Sequence, residues 1–292
     1  MPDLFVIEAP GKAKHILEIL KSVGLDARVQ ATKGHIYSMP DRLTPVGIDS
    51  GFREFERKLR EPEIGQRIRD EALVLDNRQQ IVATQGHEDA GFNSFFRTGW
   101  RRFHLKWYGN DLVSAQQLCP YTVGLLRQIP SVKAAMFASL PPGAKLVAHR
   151  DPYAGSMRYH LGLAVPEDPR CAIYVDGQSY VWRNGEGIIF DETFIHYAEN
   201  ATGQRRIVLF CDVRRPLRFA PVRWLEAIFA RVVMGAAVSK NTDEDRVGFI
   251  NKLFSKLYKI REIGKAIKRR SRLSYYALKY VIFGALIYWV FF

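Results

Sequence analysis

The stretch VKAAMFASLPPGAKLVAHRDPYAGSMRYHLGLAV, residues 132–165, contains three short runs rich in apolar residues, separated by turn-forming residues. More runs of this kind follow at close intervals up to residue 213: CAIYVDG, QSYVWRNGEG, IIFDETFIHYAEN and RRIVLFCDV. Short strands punctuated by glycine, proline, aspartate and asparagine are typical of a β-sandwich or jelly roll, whereas a βαβ fold has helices between its strands. The sequence therefore predicts a mainly β domain.

The same segment carries side chains that could bind one metal ion. His149 and Asp151 are two residues apart, close enough for both side chains to reach a single cation, and His196 follows 45 residues after Asp151. Two imidazoles and one carboxylate on one face of a cation form the facial triad of non-haem Fe(II) oxygenases, which leaves three coordination positions open. We therefore predict His149, Asp151 and His196 as metal ligands.

Basic side chains that could anchor a co-substrate lie near these ligands. Strand alternation places Arg158 and His160 on one face of MRYHLGLAV, and Arg206 begins an apolar strand ten residues after His196. A buried arginine can clamp a carboxylate of 2-oxoglutarate with two parallel hydrogen bonds. Each residue also has a structural explanation, since His160 could be a core histidine and Arg206 half of a surface ion pair. Their combination in one β-rich segment favours the metal site.

Residues 131–216 resemble the aspartyl/asparaginyl β-hydroxylase family. The resemblance rests on the motifs HRD (149–151), RYHLGL (158–163), WRNG (182–185), FDETFIH (190–196) and RIVLFCD (206–212), and on Asn200. It implies a double-stranded β-helix that uses Fe(II), 2-oxoglutarate and O₂.

The family resemblance also implies roles for individual residues. His149 and His196 would be iron ligands, while Arg158, His160 and Arg206 would hold the carboxylates of 2-oxoglutarate. Many peptide-hydroxylating members of the family lack a carboxylate two residues after the first histidine. Asp151 therefore favours a complete triad in this chain and weakens the analogy with a peptidyl aspartyl/asparaginyl β-hydroxylase, which remains an alternative.

Two segments are similar to the lipid A 2-hydroxylase branch of this family. They are GHEDAGFNSFFRTGWRRFHLKWYG (86–109) and HRDPYAGSMRYHLGL (149–163), and the likeness extends over roughly residues 60–292. It implies hydroxylation at C2 of a lipid A acyl chain, by an enzyme of the bacterial inner membrane whose catalytic domain faces the cytoplasm. Four aromatic residues of the first segment could line an acyl groove, although such a density of rings is more typical of a core: Trp100, Phe103, Trp107 and Tyr108.

The N-terminal region has a different character. LFVIEAPGKAKHILEIL (4–20), followed by ATKGHIYSMP (31–40) and VGID (46–49), resembles the start of the Toprim domain of type IA DNA topoisomerases. Such a domain binds Mg²⁺ through an early glutamate, here Glu8, and a later DxD pair, but IVATQGHEDAG (81–91), near where that pair would fall, contains none. We therefore expect residues 1–60 to form a truncated α/β segment without catalytic function. A DNA-binding, topoisomerase-like protein is the second alternative.

The positive charge of the chain is concentrated near its C-terminus. The net charge is +13, and residues 252–279 contain ten Lys or Arg residues against one acid, Glu262. A basic tail argues against a nucleic-acid groove across the folded body and favours an anionic membrane surface as partner. Within this tail we expect an amphipathic helix whose apolar face is opposite a lysine-rich face. That apolar face comprises Phe249, Leu253, Leu257 and Ile260, with Ile250, Phe254 and Tyr258 beside it.

The expected organisation has four parts: the Toprim-like segment (1–60), the dioxygenase domain (61–216), a basic amphipathic helical region (217–274) and a membrane anchor (275–292). The anchor is predicted from YVIFGALIYWVFF (280–292), which is apolar and short for a spanning helix. Cys119, Cys171 and Cys211 form no CxxC motif, which favours a reducing compartment, and the N-terminus lacks the apolar run of an export signal.

Overall fold

The computed structural model describes residues 36–38, 50–59, 61–84, 88–217 and 219–291. Most of the Toprim-like segment, including Glu8, lies outside the described residues. The described residues on the N-terminal side of position 61 belong to one strand and one helix, and both pack against the β domain.

Two antiparallel sheets form the centre of the described structure. Their strands are β1 (Ile36–Ser38), β2 (Arg101–Trp107), β3 (Val132–Leu140), β4 (Lys145–His149), β5 (Ser156–Ala164), β6 (Cys171–Val175), β7 (Gln178–Val181), β8 (Gly187–Phe190), β9 (His196–Asn200) and β10 (Arg206–Arg214). The large sheet has the order β1-β8-β5-β10-β3-β2, and the small sheet has the order β4-β9-β6-β7. The chain passes back and forth between the sheets from β3 to β10, which is the connectivity of a jelly roll. The predicted double-stranded β-helix is therefore confirmed.

Helices flank the sheets and form the C-terminal region. They are α1 (Ser50–Leu59), α2 (Pro62–Asn77), α3 (Val113–Leu118), α4 (Pro120–Arg127), α5 (Ala220–Phe229), α6 (Phe249–Arg270) and α7 (Arg272–Phe291). A 3₁₀ helix spans Phe95–Thr98, and short turns of π and 3₁₀ helix follow α5. Strand β2 and helices α3 and α4 were not expected, because charged residues interrupt β2 and the two helices are too short to show a clear periodicity.

Strand β5 separates the cavity of the β domain from its outer helical layer. Arg158 and His160 face the cavity, as strand alternation predicts. Tyr159 faces the other way and packs edge-on against Phe52 of α1, with ring centroids 5.2 Å apart. A Cβ atom at Gly187 would lie only 2.4 Å from the Tyr159 hydroxyl, so glycine makes room for this ring in the neighbouring strand β8. Helix α1 is therefore part of the same core as β5.

Helix α6 has the predicted apolar stripe, but a different surface lies opposite. Phe249, Leu253, Leu257 and Ile260 are exposed, as are the lysines beside them. The opposite face is buried and carries Asn251, Ser255 and Tyr258 rather than lysines. Over residues 249–258 the prediction of a lysine-rich face opposite the stripe was wrong, because that face packs on the β domain.

No helix in the described part of the chain combines the length and apolar character that crossing a bilayer requires. A spanning anchor at residues 275–292 is therefore not confirmed. The observed helix α7 begins at Arg272, before the apolar stretch, and includes Ser274 and Lys279.

A buried polar cluster attaches the C-terminal region to β2. Asp89, Arg102 and His104 are almost completely buried, and the Arg102 Nε donates to Asp89 Oδ2 over 3.1 Å. The side chain of Asn241 bonds to both the N–H and the carbonyl of His104, each over 2.8 Å. Asn251 of α6 accepts a hydrogen bond from the Ala90 N–H. Residues 239–251 are therefore fixed to the β domain by side-chain hydrogen bonds.

This cluster should make the protein less stable in acid. Burial lowers the pKa of His104 from 6.5 to about 4, so between these values the unfolded chain binds a proton that the folded chain does not. The contribution of neutral His104 to the free energy of unfolding is fully present above pH 6.5 and falls as the pH decreases. Between pH 7 and pH 5 we expect wild type to lose about 2 kcal/mol more unfolding free energy than His104→Gln in urea titrations. Equal losses in the two proteins would contradict this assignment.

Candidate metal centre

The two predicted histidine ligands lie opposite each other on neighbouring strands. His149 ends β4 and His196 begins β9, and the two residues are partners in the antiparallel register. Their ring centroids are 4.2 Å apart. Residues far apart in the sequence are therefore brought together by strand pairing in the small sheet.

Asp151 completes a compact group of three ligands. Its Oδ1 lies 3.7 Å from His149 Nε2, and one potential ligand atom from each of His149, Asp151 and His196 lies within 4.8 Å of the other two. The Asp151 N–H donates to the Glu192 carbonyl over 3.0 Å, which holds the loop after β4 against the segment before β9. The structure therefore brings together all three predicted metal ligands.

Backbone carbonyls orient both imidazole rings. His149 Nδ1 lies 2.7 Å from the Val147 carbonyl oxygen, and His196 Nδ1 lies 2.9 Å from that of Phe194. An Nδ1–H that donates to a carbonyl leaves Nε2 as the unprotonated nitrogen, which is the form that binds a metal. Burial also lowers the pKa of His196 to about 4, so this ring is neutral at physiological pH.

Arg158 lies in the cavity wall and is ion-paired with three carboxylates. Its Nη2 lies 2.7 Å from Asp151 Oδ2, its Nε lies 3.0 Å from Asp212 Oδ1, and it also contacts Glu192. Burial raises the pKa of Glu192 to about 8. These contacts orient Asp151 toward the two histidines. A role for Arg158 in holding 2-oxoglutarate remains a prediction.

Arg206 is a buried cation without a carboxylate partner among the described residues. It is 2% exposed, and its guanidinium lies 4.4 Å from the centre of the Trp182 ring. Its Nε, like both ring nitrogens of the neighbouring His160, lacks a hydrogen-bond partner in the described part of the chain. Burial lowers the pKa of Arg206 to about 10, which keeps it protonated near neutral pH. A buried charge without a partner is unfavourable, so an anionic ligand would complete this side of the cavity.

Two of the three ligands, His149 and His196, line one largely apolar cavity together with Arg158, His160 and Arg206. Its other lining residues include Phe92, Phe95, Trp100, Ala138, Leu146, Ile173, Phe190, Tyr197, Ala198 and Phe210. The Phe95 ring lies 4.6 Å from the His149 ring. Of the aromatic residues singled out in the sequence, Trp100 lines this cavity, whereas Phe103, Trp107 and Tyr108 belong to the core.

Two carboxylates near the site were not recognised in the sequence. Glu192 lies inside the FDETFIH motif and Asp212 ends the RIVLFCD strand, but neither has the spacing of a metal ligand. Both are buried, and Asp212 also accepts a hydrogen bond from the Tyr108 hydroxyl over 2.9 Å. They are part of the network that holds Arg158 rather than part of the ligand group.

The donor set fits the group that the sequence implies. Two neutral imidazoles and one carboxylate suit Fe(II) and leave coordination positions open. Arg206 and His160, in the same cavity, offer a cation and a polar ring to a second, anionic molecule. Such a combination fits a chelating dicarboxylate like 2-oxoglutarate.

Comparison with known proteins identifies close relatives of this domain. A family model described as aspartyl/asparaginyl β-hydroxylase matches residues 64–216. The chain is 41% identical over 129 residues to the ornithine lipid ester-linked acyl 2-hydroxylase of Rhizobium tropici, a match that covers 44% of this chain and 46% of that protein. It is 30% identical over 216 residues to aspartate β-hydroxylase domain-containing protein 2 of Xenopus tropicalis, covering 70% and 57% of the two chains.

Among solved structures, a prolyl-4-hydroxylase from Pseudomonas putida aligns with 52% of this chain and 87% of its own, at 17% identity and a TM-score of 0.36. The matches to the two curated relatives span about half of each relative's length. The family model covers more than half of this chain, including all three metal-ligand candidates, Arg158 and Arg206. The chain belongs to the aspartyl/asparaginyl β-hydroxylase family.

Proposed function

We propose that the protein is an Fe(II)- and 2-oxoglutarate-dependent dioxygenase that hydroxylates C2 of an acyl chain in a membrane lipid. The observation that supports this most directly is a cavity lined by His149, His196 and the buried cation Arg206, with Asp151 completing the ligand group beside the two histidines. The acyl substrate is inferred from the R. tropici relative, whose name specifies acyl 2-hydroxylation of an ornithine lipid. Lipid A is the headgroup that the sequence resemblance implies.

The residues of the cavity have separate tasks in this reaction. His149, Asp151 and His196 would hold Fe(II), and Arg206 would pair with the far carboxylate of 2-oxoglutarate. When bound, these groups supply the oxidant: one atom of O₂ becomes the product hydroxyl, and the other enters succinate as CO₂ is released. His160 offers a polar ring beside Arg206, and Arg158 holds the Asp151 carboxylate in position.

The apolar part of the cavity suits an acyl substrate. Phe92, Phe95 and Trp100 form an aromatic wall, with the Phe92 and Trp100 rings stacked at 4.9 Å. These side chains offer few polar groups to water or to a peptide backbone. They would exclude water from the reacting carbon and pack against methylene groups.

A substitution at Asp151 tests whether the iron site needs a complete triad or only two histidines, the arrangement of peptide-hydroxylating relatives. We expect Asp151→Gly to lower succinate formation about 100-fold, because Arg158 holds this carboxylate in a ligand position and the Glu192 carbonyl holds the Asp151 backbone N–H. The measurement is succinate released with lipid substrate, and Asp111→Gly, at an exposed aspartate, is the matched control. Activity of Asp151→Gly at the wild-type level would assign this chain to the two-histidine group.

Mass spectrometry of lipids from bacterial cells that do or do not express the protein tests the substrate. We expect one added oxygen on an acyl chain, with fragmentation placing it at C2, in the lipid A or the ornithine lipid fraction. Cells that express His149→Ala are the control. Unchanged lipids together with a hydroxylated aspartyl or asparaginyl residue in cellular protein would favour the peptidyl alternative, which the human aspartyl/asparaginyl β-hydroxylase represents at 27% identity.

A further inference from the structure

Helix α5 exposes its apolar side. Glu226 and Ala230, at the inward positions of α5 and the turn that follows it, are the more buried residues of this segment. The opposite side carries Trp224, Leu225 and Ile228, of which the first two are 65% and 58% exposed. An ordinary surface helix has the reverse arrangement, with apolar residues inside and polar residues outside. Contiguous exposed apolar groups of this kind indicate a surface that binds a partner.

Helix α6 repeats this inversion independently. Its inward residues are Asn251, Ser255 and Tyr258, and Asn251 donates hydrogen bonds to the Ala237 and Val238 carbonyls. Its outward stripe, from Phe249 to Ile260, is exposed, with 71% exposure at Phe249. We call the outward residues of α5 and α6 the docking surface: Trp224, Leu225, Ile228, Val232, Phe249, Leu253, Leu257 and Ile260.

Basic side chains indicate what covers this surface. At helical spacing, Lys252, Lys256 and Lys259 flank one edge of the α6 stripe, and Arg261 and Lys268 flank the other. All five are exposed, and the single acid of α6, Glu262, is paired with Lys265 rather than with any of these five. An apolar stripe bordered on both edges by long cations matches an anionic lipid interface, where the stripe enters the acyl region and the lysines reach the headgroups.

The α5 part of the surface is attached to the loop that carries a metal ligand. Tyr153, two residues after Asp151, donates a hydrogen bond from its hydroxyl to Glu226 over 2.5 Å. Its ring also stacks on Phe229, with centroids 5.7 Å apart and an interplanar angle of 16°. A partner bound to α5 is therefore beside the candidate active site.

We propose that the docking surface binds the interface of an anionic lipid bilayer, with the outward side of α5 inserted among the acyl chains next to the active-site loop. The acyl substrate would then enter from the same membrane without passing through water. That last step rests on the proposed function, whereas the binding of the bilayer does not.

Vesicle co-sedimentation of the full chain tests the binding. Wild type should sediment with phosphatidylcholine vesicles that contain phosphatidylglycerol, and less with phosphatidylcholine alone. The variant Trp224→Ser/Leu225→Ser/Ile228→Ser should partition at least about tenfold more weakly, because it removes the inserted side chains. Val74→Ser/Val113→Ser, at exposed valines elsewhere on the body, is the matched control and should behave as wild type.

The lysines provide an electrostatic test that keeps the apolar residues. Lys252→Gln/Lys256→Gln/Lys259→Gln should weaken binding to the phosphatidylglycerol vesicles by about fivefold for each lysine, with little effect on neutral vesicles. Equal sedimentation of wild type and both triple variants would overturn the proposal. If the α5 variant instead changes a dimer to a monomer in light scattering and leaves sedimentation unchanged, the surface is a subunit interface and the proposal fails.

Two further measurements test whether the α5 effect comes from misfolding and whether vesicle binding is needed for activity. Vesicles with brominated acyl chains should quench the fluorescence of Trp224. The measurement is the fluorescence lost by wild type compared with that lost by the conservative variant Trp224→Phe, and equal losses would contradict insertion. The α5 variant should keep hydroxylation of a detergent-solubilised lipid but lose it in vesicles. Vesicle binding by wild type without any lipid hydroxylation would refute the proposed function while leaving the docking surface supported.

Discussion

Alanine in place of either His149 or His196 is expected to lower substrate-dependent succinate formation at least about 1,000-fold, which corresponds to about 4 kcal/mol of transition-state stabilisation. The two rings lie opposite each other in the β4–β9 register, with Asp151 completing the ligand group. Both the complete triad and the two-histidine arrangement of relatives use these two imidazoles, so removing either one breaks the facial ligand group. Each variant should also lose stoichiometric iron, measured by metal analysis after anaerobic loading.

A neighbouring substitution separates this effect from damage to the sheet. Glu199→Gln lies on the same strand as His196; it removes an ion pair with Lys145 and leaves an amide oxygen that can still accept the hydrogen bond from the Tyr174 hydroxyl. It should keep both iron binding and activity. If His149→Ala and His196→Ala retain wild-type activity, these two histidines do not hold the catalytic metal.

Arg206→Met is expected to raise the KM for 2-oxoglutarate about 100-fold, equivalent to about 3 kcal/mol. Methionine fills a similar volume over Trp182 but cannot pair with a carboxylate. The same substitution should raise the melting temperature of the protein without 2-oxoglutarate, since it removes a buried charge that has no carboxylate partner among the described residues.

The thermal measurement distinguishes ligand binding from a structural role. Added 2-oxoglutarate with iron under argon should stabilise wild type and leave Arg206→Met almost unchanged. Arg183→Met, at an exposed arginine, is the control and should respond as wild type. An unchanged KM together with a lower melting temperature would show that Arg206 is structural.

The strands of the jelly roll could be predicted because their signals are local. Each of the seven runs between residues 132 and 213 has its own apolar pattern and is bounded by turn residues, and together they form the eight strands β3–β10, with β8 and β9 in the run IIFDETFIHYAEN. The ligand group also followed from residue types, since the HRD motif and His196 lie in strands and loops that a jelly roll brings together. Strand β2 was missed because its basic residues hide the pattern: Arg102 and His104 are buried only with Asp89 as partner.

Features that depend on packing could not be predicted from the sequence. Nothing in the spacing of Glu192 and Asp212 shows that both meet Arg158, because that contact depends on how strands β5 and β10 pair. The apolar stripe of α6 could be recognised, but not that the opposite face packs on the β domain. That contact depends on the buried hydrogen bonds of Asn251, which the sequence pattern does not show.

The most direct test of the metal site is an anomalous-scattering map at the iron edge, from crystals grown anaerobically with Fe(II) and 2-oxoglutarate. The proposed metal site predicts one iron peak about 2.0–2.3 Å from Nε2 of His149, Nε2 of His196 and a carboxylate oxygen of Asp151, the usual range for metal–nitrogen and metal–oxygen bonds. A 2-oxoglutarate carboxylate should contact Arg206. Iron bound elsewhere, or no iron peak at these three side chains, would contradict it.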